Sequence, residues 1–223
     1  MREAFGLIVF LLFVLHGVPL FAESPVKIPN GFQGLKWGSS IEAVKSNYQQ
    51  YGSLEVITNG DLLGDGLITI ESFKFLDLPS MAQFEFQKNK LFSATIVFTQ
   101  TQIGPMLQSY KDLRRLLNTK YGPGKDEVER KTILGSESSV KQAQIAKLDS
   151  REKFSSLDEV AVSSGTMSFT ASWDGEETKI GLHAGKFGGS DQPLLVIMYA
   201  AIDLFKKAKE AELKNDKKKM DGL

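Results

Sequence analysis

Apolar and polar residues alternate along this chain with two distinct periods. Ile41, Val44 and Tyr48 recur at intervals of three and four, which predicts an amphipathic helix of about three turns. Ser39 or Ser40 precedes it as an N-cap, Glu42 sits in its positive first turn, and Gly52 after Tyr51 supplies a stop. The period then shortens to two. Residues 67–75 place Ile68, Ile70, Phe73 and Phe75 at apolar positions, and residues 81–86 place Phe84 and Phe86 on one face. Gln87-Lys88-Asn89-Lys90 reads as a hairpin turn with Asn89 suited to a positive φ, and residues 91–99, rich in Ile96, Val97 and Phe98, form the return strand. Together these predict an antiparallel meander.

The helical period returns from Gly104 or Pro105 to Tyr121, where Met106, Leu107, Tyr110, Leu113, Leu116 and Leu117 form an apolar stripe and Gly122-Pro123-Gly124 ends it. Residues 125–148 are polar, with a strand expected over 128–134 and a loop over 136–139. Residues 150–163 predict a short helix in which Phe154, Leu157, Val160 and Ala161 share a face, closed by Gly165. Residues 166–173 alternate again, Asp174-Gly175 signals a hairpin, and 178–183 form its partner strand. A loop over 185–191 leads to the last strand, 194–201, apolar enough to be central. From Ile202 onward a charged helix is expected.

The fold class that follows is α+β, with helices packed on antiparallel β-meanders as two related α-β halves in tandem. The first half spans 23–104 and the second 105–201, with a charged C-terminal helix or tail over 202–223. A helix closing on Tyr51-Gly52 or Tyr121-Gly122, then a polar stretch, then a hairpin with an aromatic first strand, occurs in both. The likeness is one of pattern, not of residue identity.

Residues 1–22 stand apart. Arg2 and Glu3 precede the apolar run from Phe5 to Leu15, followed by Gly17, Pro19 and Ala22, the pattern of a secretory signal peptide cleaved near Ala22. The run is shorter than the ~20 residues of a membrane-spanning helix, so no integral membrane segment is expected after cleavage, and the mature chain is placed in the periplasm or outside the cell. Lysine plus arginine and aspartate plus glutamate number 27 each. With no net field, nucleic acid is not an expected partner. The lysines of the C-terminus alternate with acids, which describes a solvated helix.

Candidate chemistry is sparse. The chain has no cysteine, which excludes disulfides, thiol catalysis and zinc-thiolate sites. Beyond the signal, His183 is the single histidine, so a metal site built on two or more histidines is excluded and a hydrolytic triad must use His183, for example with Ser190 and Asp191. Gly181 to Lys186 falls two residues short of a phosphate-binding loop. Asp61 and Asp65 lack the spacing of a helix-loop-helix calcium site. Trp37 and Trp173 are core or helix-entry residues that can also serve as aromatic anchors for a partner. No cofactor and no metal are expected, and Trp37, Trp173 and His183 stand as the candidate binding residues.

The motif Phe32-x-Gly34-Leu35-x-Trp37-Gly38-Ser39-Ser40-x-Glu42-x-Val44, together with Tyr121-Gly122-Pro123, resembles a pattern of exported bacterial proteins of the beta-lactamase-inhibitor-like and BamE-like class. The chain departs from that class in lacking a lipoprotein cysteine, in its strand count and in its polar middle segment. The resemblance implies a helical segment packed on an antiparallel sheet, sometimes twice in tandem, in a non-enzymatic protein that binds other proteins of the cell envelope. The expectation is therefore a secreted or periplasmic protein-binding module, with a small exported hydrolase using His183 and a serine as the alternative.

Overall fold

The computed structural model describes residues 27–58, 64–100, 102–131, 137–140, 154–186 and 192–221. The expected signal segment, Ser190 and Asp191 lie outside them. The first part of the chain forms α1 (Ile41–Asn47), a 3-10 turn (Gln49–Tyr51), β1 (Val56–Ile57), β2 (Gly66–Phe75), β3 (Leu78–Gln87) and β4 (Lys90–Phe98). Next come α2 (Ile103–Tyr121), β5 (Lys125–Lys131), β6 (Glu137–Val140), α3 (Ser156–Ser164), β7 (Met167–Asp174), β8 (Thr178–Lys186), β9 (Pro193–Ala201) and α4 (Ile202–Asp221). All nine strands join one sheet in the order β1-β2-β3-β4-β9-β8-β7-β5-β6. Every pairing is antiparallel, and the class is α+β.

At the centre of the sheet Ile96 lies opposite Ile197. Ala82 pairs with Ile96 as Leu182 pairs with Ile197, and Ile70 pairs with Ala82 as Ala171 pairs with Leu182. The 3-10 turn after α1 and the helix α2 both end on a glycine of similar geometry, Gly52 with φ 90° and ψ −161° and Gly122 with φ 84° and ψ 177°. Such a positive φ is cheap only for glycine.

One face of the sheet carries the core. Val44 of α1 and Tyr48 just after it, Met106, Leu107, Tyr110, Leu113 and Leu117 of α2, and Val162 of α3 cover Phe84, Ile96, Phe98, Phe169, Ile180, Leu182 and Ile197. Full burial of each large side chain stabilises by about 1.5–3 kcal/mol. Phe32 closes the gap between the halves, its ring 6.3 Å from Phe75, 5.9 Å from Phe84 and 5.0 Å from Tyr199. The preceding Gly31 admits no side chain, because a Cβ there would stand 1.9 Å from the Leu35 carbonyl oxygen.

The opposite face has its own small cluster. Phe92, Val196, Ala200 and Ala208 are buried but lie outside the main core. Phe92, the extra residue where the β3–β4 register shifts, meets Phe205 of α4 at 6.1 Å. α4 thus packs on β4 and β9, and leaves the rest of this face without a helix among the described residues.

Local signals set most element boundaries. Ser40 Oγ accepts from Ala43 N–H and caps α1. Lys88 and Asn89 both have positive φ, and Asn89 Oδ1 accepts from Ile41 N–H at 2.9 Å, so the turn also holds the start of α1. Two expectations need correction. Residues 137–140 are not loop but the edge strand β6, held by backbone pairing to β5. In α3 the buried side is Asp158 and Val162, while Leu157 and Val160 are 78% and 66% exposed. The capping box of Ser155 and Asp158 turns the carboxylate inward and sets that rotation.

Tyr48 and Tyr199 share one electrostatic consequence of this packing. Burial raises the Tyr48 phenol well above its ordinary value near 10, with Tyr51 adding to it, and burial with a smaller effect of Tyr121 does the same to Tyr199. A raised folded-state value stabilises below the unfolded value and is lost as pH rises beyond it. We expect stability in urea to be flat up to about pH 10 and to fall above it. Tyr48→Phe and Tyr199→Phe should each flatten that fall, read by denaturation midpoints across the alkaline range.

Candidate functional site

The sheet separates His183 from Trp37 and Trp173, which both pack on the core side. Trp37 lies in the loop before α1, half-buried, and donates from Nε1 to Thr178 Oγ1 at 2.7 Å. Thr178 in turn donates to the Pro29 carbonyl at 2.7 Å. This chain of bonds fastens the N-terminal segment to the start of β8. Lys27 also pairs with Glu176 in the β7–β8 turn.

Trp173 is buried at the end of β7. Its Nε1 is shared between Asn118 Oδ1 at 3.1 Å and the Gly122 carbonyl at 3.0 Å. Asn118 Oδ1 also accepts from Gly124 N–H at 2.9 Å. The indole is therefore the partner of the α2 C-terminus, whose carbonyls need donors beyond the helix.

His183 stands on the other face, in the cross-strand row Met81, Val97, Val196, His183, Thr170, Glu127. Its Nε2 is 3.3 Å from the Lys186 carbonyl oxygen and its Nδ1 is 3.1 Å from Thr170 Oγ1. A carbonyl only accepts, so in the neutral ring Nε2 carries the proton and Nδ1 accepts from the threonine hydroxyl. The hydroxyl beside this imidazole is thus a threonine on the next strand. The serine considered for catalysis, Ser190, lies outside the described residues.

This face also holds a hollow of about 530 Å³ at the end of β4 and β9, lined by Glu71, Met81, Val97, Ile103, Pro193 and Leu194 among others. Its floor is apolar and Glu71 supplies a carboxylate at the rim. The adjacent row, Thr69, Gln83, Thr95, Met198, Gly181 and Ser172, carries no charge until it ends at Lys125 of β5. Above Gly181 the space is open, with no atom within 4 Å of where a Cβ would stand. Charges gather at the margins instead, as Glu85, Glu127, Lys179 and the Asp174 carboxylate. A hydrogen bond from Lys125 holds Asp174 below the usual carboxylate range, against a smaller opposing effect of burial. No group of three or more His, Cys, Asp or Glu side chains positioned for a metal occurs among the described residues.

One polar cluster escaped the sequence reading. Arg114 is buried within the apolar stripe of α2, and its Nε and Nη2 donate to the two carboxylate oxygens of Asp126 at 2.6 and 2.5 Å. The signal was present: a charged residue four positions after Tyr110 and three before Leu117 falls on the buried face of the helix. The pair ties α2 to β5 beside Trp173.

Comparison of the chain with protein-family models, with curated proteins and with solved structures found no match.

Asp126→Ala should lower stability by about 3–5 kcal/mol, because it removes the carboxylate that takes two hydrogen bonds from Arg114 in a site where that side chain is 11% exposed. The double change Arg114→Met with Asp126→Leu should recover most of that loss. Chemical denaturation of the three variants checks both statements.

Proposed function

We propose that this protein is an exported, envelope-located module that binds another protein through the open face of its sheet and performs no catalysis itself. The carrying observation is the half-buried apolar area formed by Met81, Val97, Leu194 and Met198 on the face opposite α1, α2 and α3. A patch of this kind, neutral at its centre and rimmed by charges, is a usual mark of a protein-interaction surface. The resemblance of the Phe32 to Val44 motif to envelope proteins of the beta-lactamase-inhibitor-like and BamE-like class supports the same reading, as does the signal-like pattern of residues 1–22. No helix among the described residues is long and apolar enough to cross a membrane.

We further infer that the halves are copies of one unit, a helix followed by four strands, with β6 and α3 inserted in the second. The equivalent registers about Ile96 and Ile197 and the shared glycine geometry after Tyr51 and Tyr121 support this.

Val97→Lys should abolish capture of a partner from envelope extract while moving the melting temperature by only a few degrees, since the long side chain can lie along the face with its charge in solvent. His183→Ala should leave capture intact. Loss of a hydrolytic activity in His183→Ala, with capture unaffected by Val97→Lys, would favour the hydrolase instead. N-terminal sequencing of the exported product should read Glu23 first.

A further inference from the structure

Leu76 and Asp77 form the turn between β2 and β3, with φ angles of 52° and 62°. The left-handed region suits glycine, asparagine and aspartate, and costs a leucine about 1–2 kcal/mol. The Lys88–Asn89 turn has the same geometry, but there Asn89 caps α1 and Lys88 N–H donates to Asp65 Oδ2 at 2.7 Å. Leu76 has no such local return from the core, since it is 54% exposed. It lines a groove of about 470 Å³ together with Leu78, Leu113, Leu116, Asp112 and Arg115. Leu116 is 45% exposed on α2. Two large exposed apolar side chains therefore converge on one groove, and one of them is held there in a strained backbone.

We propose that this groove is the interface of a two-fold symmetric homodimer, with α2 packed antiparallel on α2 of a second copy. A two-fold interface brings the same patch together twice, so it must be complementary to itself. The exposed stripe of α2 meets that condition. It runs through Gln108, Asp112, Arg115, Leu116 and Thr119. An antiparallel crossing centred between Asp112 and Arg115 sets each aspartate against the other copy's arginine, and the same geometry sets Gln108 against Thr119. Leu116 of each copy then enters the groove of the other beside Leu76.

Within one chain Asp112 and Arg115 already touch at 3.3 Å, with side chains 51% and 80% exposed. Such a pair contributes little by itself. Across the dimer the same two groups pair again and no charge is left alone. One acid and one base at the rim of an apolar groove select a copy of the same rim over a uniformly basic or acidic partner. The groove lies on the side of the sheet covered by α1, α2 and α3, so this interface leaves the open face uncovered and does not depend on the function proposed for it.

Sedimentation equilibrium of the purified full chain, from low to high micromolar concentration, tests the proposal. We expect a concentration-dependent dimer whose Kd rises at least about tenfold, about 1.4 kcal/mol, in Leu116→Glu and in Leu76→Asn. Leu76→Asn should at the same time keep or raise the melting temperature, because asparagine suits the turn, which separates loss of the dimer from loss of the fold. Asp112→Arg and Arg115→Asp should each weaken the dimer, and the combined reversal should restore it. Val97→Lys on the open face should leave it unchanged. A monomer at every concentration, a dimer indifferent to Leu76→Asn and to the single reversals, or a dimer abolished by Val97→Lys would overturn the proposal. Capture of a foreign amphipathic peptide by a monomeric chain would do the same.

Discussion

The backbone pairing of β4 with β9 is the constraint on which the rest depends. Six register pairs, from Ser93 opposite Ala200 to Phe98 opposite Leu195, join strands that lie far apart in sequence. Among the described residues this is the one strand pairing that crosses between the halves, and it converts two meanders into a single sheet. Without it the chain would expose two long apolar edges, one carrying Phe92, Ile96, Val97 and Phe98 of β4 and the other Leu195, Val196 and Ile197 of β9, the kind of edge proteins avoid leaving open. The N-terminal segment reinforces the seam. Leu91 exchanges backbone hydrogen bonds with Gly38 and Ser39, while Trp37 reaches across to Thr178. Because the seam joins residues far apart in sequence, it forms only after the loops between have been closed, and slow folding relative to a helical bundle of this size is the consequence.

A second consequence is the unequal treatment of the two faces. Helices α1, α2 and α3 and the Phe32 loop all cover one side, and their aromatic and aliphatic side chains form one continuous core. Among the described residues the other side receives α4 alone, anchored by Phe205 on Phe92 and by the fully buried Ala208. Beneath that contact Ser93 Oγ is buried with no hydrogen-bond partner, a group whose desolvation typically costs about 1–3 kcal/mol. The helix that covers part of the open face is thus less well matched to its bed than the helices of the main core. The uncovered remainder holds the hollow lined by Met81, Val97 and Leu194, and its charged groups stand at the margins.

Much of this was legible in the residues. Alternation at Ile68 and Ile70, at Phe84 and Phe86 and at Met167 to Trp173 placed strands with their buried faces correctly, because a strand with one face in the core repeats every two residues. Gly122 and Asp174-Gly175 marked real ends and turns for the same local reason. Legibility failed where tertiary contact decides. Nothing local announces that Glu137–Val140 pairs as an edge strand, since its support is backbone bonding to β5. In α3 the apolar spacing of Leu157 and Val160 pointed to the wrong side, because the capping box and Val162 fix the helix rotation. The turn at Leu76–Asp77 was invisible because neither residue is the glycine or asparagine that such a turn prefers. The candidate residues were read by type, and type says nothing of side: Trp173 enters the core, whereas His183, two strand positions from the sheet centre line, faces out.

Native-state hydrogen exchange resolved by residue tests most directly the claim that one seam makes one sheet. The account requires the amides of Ile96 and Val97 in β4 and of Ile197 and Met198 in β9 to be among the slowest in the chain, exchanging together at the free energy of global unfolding. If β2, β3 and β4 exchanged as one unit while β7, β8 and β9 remained protected, the halves would be separate domains in contact, and the account would be wrong.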